Sequence, residues 1–298
     1  MEGSTDTSRS QTLFIVRHGD RWDYSHPEWS STAARPGDPP LSSLGHRQAR
    51  DVGRYLDEVF ARENIHARDI TLLSSPFLRC IQTSNELLSE FHKTQGDVAE
   101  TVSIQPEYSV FELDSKDRGW HASLPTLAER KCYFPRMEEA HESMFVPTLP
   151  ENRGQFLDRC EDVIRRLNTK YQHPDGECTT TTITDAAAAG GSVAQQQPRV
   201  IVIVTHAAGC VAMAKSASGK ELQDINPAPP CGIYRLDRVS DSEAWDIDHY
   251  SKEGGMNGYK DHLGDVGVTT KGWNNFGDDK VNNGYTGPPG NTSFILHK

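Results

Sequence analysis

Leu13-Phe14-Ile15-Val16-Arg17-His18-Gly19-Asp20-Arg21 is the stretch on which the fold turns. Four apolar, β-prone residues run straight into two arginines, a histidine and a glycine. An uninterrupted run of this kind reads as a strand buried on both faces, the mark of a parallel sheet. In open α/β sheets ligands bind beyond the carboxyl ends of the strands, which is where Arg17, His18 and Arg21 fall. Guanidinium forks match the oxygens of a phosphoryl group, and a histidine between them can attack phosphorus. The competing reading is a surface turn with a chance basic cluster, and these nine residues alone leave both open.

Working outward, a second run of the same type, Val200-Ile201-Val202-Ile203-Val204, ends in Thr205-His206. Parallel strands in one sheet would carry both imidazoles to the same edge. Between the two runs lies a turn-rich loop from Pro27 to Pro40. Ala49, Val52, Gly53, Leu56, Val59 and Phe60 then recur at helical spacing. Ile70 to Ser74 predicts a further strand, and Ser75-Pro76 gives cap and first-turn signals for a helix whose apolar face uses Phe77, Ile81, Leu87, Leu88 and Phe91. Arg79 falls near the first turn of that helix, where backbone amides and the helix dipole already favour an anion. A short apolar element near Val102 to Ile104 precedes Glu107 and Glu112. Phe156, Cys160, Val163, Ile164, Leu167 and Tyr171 mark another amphipathic helix, and Gly209 to Ala214 starts one after the second histidine.

Composition sets the limits. At 298 residues the chain can hold one large or two small domains. A formal charge of −11 offers no global field for phosphate backbones, so nucleic-acid binding is not expected. The mean hydropathy of −0.64 suggests a core diluted by polar loops or tails. Cys80, Cys132, Cys160, Cys178, Cys210 and Cys231 are scattered without a CxxC pair and read mainly as reduced core residues. Residues 1–11 are polar and predict a disordered start without a secretory signal; no apolar run reaches membrane-spanning length. The expected compartment is the cytoplasm, with the nucleus open, and Asn291-Thr292-Ser293 is read as a chance sequon. The domain is expected over 12–239, with a proline-broken, cap-like insertion at 121–150 over the sheet edge. Residues 173–198, with their threonine, alanine and glutamine runs, predict a flexible insertion, and 240–298 a Gly/Asn-rich extension dotted with aromatics such as Trp245 and Trp273.

Arg17-His18-Gly19, Ser75 to Thr83 (with Arg79 inside it), Glu112 and Thr205-His206 stand in the order seen in the histidine phosphatase, or phosphoglycerate-mutase-like, superfamily. The chain resembles that superfamily from about Leu13 to Leu236. Arg21 in Arg-His-Gly-x-Arg, the Leu-Arg-Cys-x-Gln-Thr run and Val110-Phe111-Glu112 resemble the Sts and ecdysteroid-phosphate phosphatase group most closely. So does the stretch between Leu124 and Cys160. The resemblance implies a three-layer α/β/α fold with a mostly parallel central sheet and an inserted cap. It implies a phosphatase with His18 as the nucleophile that becomes phosphohistidine. Arg17, Arg21, Arg79 and His206 would form the phosphate pocket and Glu112 would be the proton donor. Glu107 and Asp114 are rival carboxylates, Glu112 could be an ordinary solvated acid, and Arg21 could form a surface pair with Asp20 or Asp23. No cofactor and no metal are expected.

Two departures narrow the choice of branch. Asp20-Arg21-Trp22-Asp23 follows the first glycine, where mutases carry a different pattern, and Ala207 follows His206 where histidine acid phosphatases carry an aspartate. The expected activity is a metal-independent phosphomonoesterase acting on a phosphorylated small molecule or phosphopeptide. The alternative is an interaction subunit with the same fold, such as the histidine-phosphatase-like subunit of the RNA polymerase III general transcription factor. In that reading the C-terminal extension binds a protein partner. A homodimer is also open.

Overall fold

The structure, a computed structural model, describes residues 11–91, 101–114, 119, 124–172, 198–225, 228–239 and 244–248. In chain order these hold β1 (Gln11–Arg17), α1 (Trp29–Thr32), α2 (Ser43–Arg62), β2 (Ile70–Ser74), α3 (Leu78–Glu90), β3 (Ile104–Pro106) and α4 (Leu127–Lys131). Then follow α5 (Arg153–Lys170), β4 (Val200–Thr205), α6 (Ala207–Ser218) and β5 (Ile233–Arg238). The five strands form one sheet in the order β3-β2-β4-β1-β5. β1 to β4 run parallel, and β5 joins β1 antiparallel. Arg17 pairs with Thr205 and Ser74 with Val204, so the chain leaves β1, β2 and β4 at one level. His18, Ser75 and His206 therefore share one edge of the sheet.

The period-two side-chain alternation of each strand feeds two apolar layers. Phe14, Val16, Val200, Val202 and Val204 face α2 and α3, meeting Leu56, Phe60, Ile81 and Leu87. Leu13, Ile15, Ile201 and Ile203 face α5 and α6, meeting Phe156, Val163, Leu167 and Val211. Helices on both faces make the three-layer α/β/α architecture expected from the sequence. Among the described residues no helix is long and apolar enough to cross a membrane.

Local signals placed the four long helices to within a few residues, whereas the short α1 and α4 fall in the expected loop 27–40 and the expected insertion 121–150. Ser42 caps α2 by accepting from the Gly45 amide, and Asn152 with Gln155 forms a capping box on α5. The start of α3 differs from expectation. The helix begins at Leu78, and its first amide donates to the Asp38 carboxylate at 2.7 Å. Ser75 and Pro76 lie outside it, because the Ser75 hydroxyl has a partner elsewhere. β3 sits two residues later than expected, ending at Pro106. On its outer side Ile104 exchanges backbone hydrogen bonds with Arg136 and Glu138, so the segment after α4 covers the sheet edge.

β1 starts at Gln11, one residue before the expected domain boundary, and pairs there with Arg238. The first described residues of the C-terminal extension are likewise built into the domain. Asp246 exchanges two backbone hydrogen bonds with Asp237. Trp245 is buried under the Arg238 guanidinium and donates to Asn168 Oδ1 at 2.9 Å. Residues 1–10, most of the expected insertion at 173–198, and 249–298, including Trp273 and the sequon, lie outside the described residues. Cys80, Cys160 and Cys210 are buried free thiols, Cys132 is an exposed one, and Cys231 is buried.

Candidate active site

The end of β1 is fitted against the first turn of α2 by two glycines. A β-carbon on Gly19 would stand 2.6 Å from the Gly45 carbonyl oxygen, and one on Gly45 would stand 2.2 Å from that of Asp20. Side-chain bonds then pin the turn: Gly19 N donates to Thr83 Oγ1 at 3.1 Å and Asp20 N to Gln48 Oε1 at 2.9 Å. Ser42 Oγ donates to Asp20 Oδ2 at 2.6 Å.

His18 is wholly buried at this turn. Its amide donates to the Thr205 carbonyl, and its carbonyl accepts from the Cys231 amide. Ring Nδ1 lies 2.7 Å from the Gly19 carbonyl oxygen, which can only accept, so Nδ1 carries the proton. In the neutral ring the lone pair is then on Nε2. The ring meets His206 edge to face, with centroids 5.4 Å apart.

His206 caps α6 directly after β4. Arg79 Nη2 stands 3.2 Å from its Nδ1, and Ser75 Oγ stands 2.8 Å from its Nε2. Arginine only donates, so in the neutral ring Nδ1 accepts and Nε2 donates to Ser75. Arg79 lies over the Phe77 ring and also donates to the Gly37 carbonyl, whereas its Nε finds no acceptor among the described residues. Arg17 donates to Ala228 O at 2.9 Å and reaches the Tyr24 hydroxyl at 3.5 Å. Arg21 is buried, not on the surface: it forms a bidentate pair with Asp23 at 2.9 and 2.5 Å and lies over the Tyr24 ring.

Glu112 closes the group. Its Oε2 is 3.3 Å from His206 Nδ1 and 3.7 Å from Arg79 Nη2, while Oε1 accepts from the Leu113 amide. It is buried, so the solvated-acid reading does not hold. The rival Glu107 accepts from the amides of Ser109 and Met144, from the Ser109 hydroxyl, and pairs with His141. Burial works to raise the Glu107 pKa, but those hydrogen bonds outweigh it and hold the carboxyl below its ordinary value. Asp114, through its carbonyl, accepts from the Glu151 amide.

Arg17, His18, Arg21, Arg79, Glu112 and His206 thus meet at the carboxyl edge of the sheet. Three guanidiniums against Glu112 and the paired Asp23 leave the cluster positive and suited to an anion. Burial, followed by the charges of Arg79, Arg17 and Arg21, pushes the His18 pKa well below the ordinary 6.5. Burial, then Arg79, His18, Arg21 and Arg159, does the same to His206. Both rings are neutral near pH 7.

A pH dependence of stability follows. Below pH 6.5 the unfolded chain takes up protons on these histidines that the folded chain refuses. Stability is therefore full above 6.5 and lost as pH falls, by up to about 1.4 kcal/mol per pH unit for each ring, until the depressed folded-state values are reached. Urea unfolding from neutral pH downward is expected to show this slope, made shallower by a bound oxyanion that favours the protonated rings. Stability that stays flat across that window contradicts it.

Three residues of the arrangement escaped sequence reasoning. Ser75, whose sequence context signals a helix cap, instead bonds His206. Asp38 receives the α3 amide and pairs with Arg130 of α4. Arg159 of α5 bonds the loop that carries Glu112. Among the described residues no group of three His, Cys, Asp or Glu gathers as for a metal ion.

The profile of the histidine phosphatase superfamily (branch 1) matches residues 13–173. The chain belongs to this superfamily, and membership supports a phosphatase-type activity. Ubiquitin-associated and SH3 domain-containing protein A of Mus musculus is 28% identical over 188 residues, covering 50% of this chain and 27% of that protein. The Homo sapiens protein of the same name is 24% identical over 201 residues, covering 55% and 28%. The chain thus spans little more than a quarter of either relative. The ecdysone phosphate phosphatase of Bombix mori, solved with tungstate, superposes with a TM-score of 0.50 at 14% identity, covering 79% of this chain and 91% of that one. The expected kinship with the ecdysteroid-phosphate phosphatase group holds at the level of fold.

Proposed function

We propose that the chain is a phosphomonoesterase that works through a phosphohistidine on His18. The observation that carries this reading is the His18 ring itself. With its Nδ1 proton held by Gly19 O the neutral ring carries its lone pair on Nε2, and Arg17, Arg21 and Arg79 surround it. In the first step Nε2 attacks phosphorus as the ester P–O bond breaks, and Glu112 gives its proton to the departing alcohol oxygen. In the second step Glu112 takes a proton from water, which attacks phosphorus and releases His18. The arginines stabilise the charge spread over the equatorial oxygens throughout, and His206, bonded to Arg79 and Ser75, holds the pocket wall. This scheme calls on no metal ion.

Steady hydrolysis of a generic aryl phosphate is expected in excess chelator. Quenching under alkaline denaturing conditions is expected to trap one phosphoryl group on His18, lost again in acid. Absence of turnover, of vanadate binding and of trapped phosphohistidine together would sink the proposal.

A further inference from the structure

Glu112 lies just past a single 3-10 turn (Tyr108–Val110), in a stretch without regular structure of its own. Its placement is nevertheless fixed by side chains from distant parts of the chain. Three successive carbonyls before it are each held. Arg159 Nη1 donates to Ser109 O at 2.7 Å, Thr205 Oγ1 to Val110 O at 2.9 Å, and Arg159 Nη2 to Phe111 O at 3.1 Å. The same guanidinium grasps both oxygens of Glu151, Nε to Oε2 at 2.9 Å and Nη2 to Oε1 at 2.5 Å. Glu151 in turn donates its own amide to Asp114 O, two residues past Glu112. The backbone is thus tied on both sides of Glu112 to one buried ion pair.

Only a planar fork with several donors can hold two carbonyls and a carboxylate at once; a lysine ammonium cannot span them with the same geometry. Phe156, Val163, Ile164 and Leu167 supply the apolar packing face of α5, and the Arg159 guanidinium lies over the Phe156 ring at its border. Burying this ion pair is costly to offset, which points to a benefit in orientation. We propose that Arg159, held by Glu151, is a positioning residue that keeps the Glu112 carboxyl in reach of the leaving oxygen. It acts through the backbone at Ser109 and Phe111. This inference rests on the reading of Glu112 as proton donor.

The test separates the two. Single-turnover phosphorylation of His18 is measured in the wild-type chain, Glu112→Gln and Arg159→Lys. Two substrates are compared: phenyl phosphate, whose leaving group needs a proton, and 2,4-dinitrophenyl phosphate, whose leaving group does not. Glu112→Gln is expected to slow the phenyl ester by about a hundredfold or more, the usual scale of general-acid catalysis, and to spare the dinitrophenyl ester. Arg159→Lys is expected to show the same selectivity at roughly tenfold, with KM little changed for either ester. Thr205→Val, which removes one hydroxyl from the same clamp, should follow that pattern more weakly and carries the test if Arg159→Lys does not fold. Equal losses on both esters, or none, in these clamp variants while Glu112→Gln discriminates would overturn the positioning role alone. If Glu112→Gln itself fails to discriminate, the proton-donor reading falls and takes this inference with it.

Discussion

His18→Ala is expected to lose turnover of any phosphate monoester by about 10⁴-fold or more while keeping its affinity for tungstate or vanadate within about tenfold. The loss should be deep because no neighbouring group can stand in. Ser75 Oγ is committed to His206 Nε2. Burial holds the Cys80 thiol far above its ordinary pKa, so no thiolate forms there. His206 is occupied at both nitrogens. Anion binding survives because Arg17, Arg21 and Arg79 remain, each fixed by contacts that do not involve the His18 ring. Calorimetric titration with tungstate beside steady-state assays makes the comparison. Turnover within tenfold of wild type would remove His18 from the reaction.

Gly45→Ala is expected to destabilise the chain by about 3 kcal/mol or more and to abolish oxyanion binding in whatever still folds. The added methyl would meet Asp20 O at 2.2 Å and Asp20 N at 2.9 Å, both backbone atoms, so no rotamer change relieves it. Either α2 must shift away from the sheet or the turn 18–20 must move, and the turn is what orients the His18 ring. For a chain of this size each kcal/mol lowers Tm by roughly 2–4 °C. Thermal unfolding with and without vanadate checks both halves. A variant with wild-type Tm and vanadate affinity would mean that the glycine contact is slack.

Much of this arrangement could be read in advance, for definite reasons. β1 and β4 announce themselves because both faces of each strand are buried, which demands an unbroken apolar run. α2 and α5 are legible because each has one apolar stripe. β5 carries no such signal. Its sequence, Ile-Tyr-Arg-Leu-Asp-Arg, carries three charges, and these are buried by pairing: Arg235 with Glu63 and Asp237, Arg238 with Gln11 and the Tyr171 carbonyl. A charged strand of that kind reads as a loop until its distant partners are known. The same reason explains the site. Arg17, His18, Arg79 and His206 are signalled by strand or helix ends, and Glu112 by its motif neighbours. Ser75, Asp38 and Arg159 gain their roles from residues that are remote in sequence, and no local pattern marks them.

The order of strands also bears on how the protein is made. β1 and β4 lie side by side, yet His18 and His206 are 188 positions apart in the chain (206 − 18). A chain growing from its amino end holds β1, α2, β2 and α3 long before β4 exists. Until β4 emerges, the apolar edge of β1 and that of β2 have no partner between them, and of the six pocket residues His206 has not been synthesised. Strand insertion at the centre of the sheet is thus the late, long-range step, with the slow kinetics that such contacts bring. Ribosome-bound chains that end before residue 200 should bind no oxyanion, and the capacity should arrive abruptly with β4.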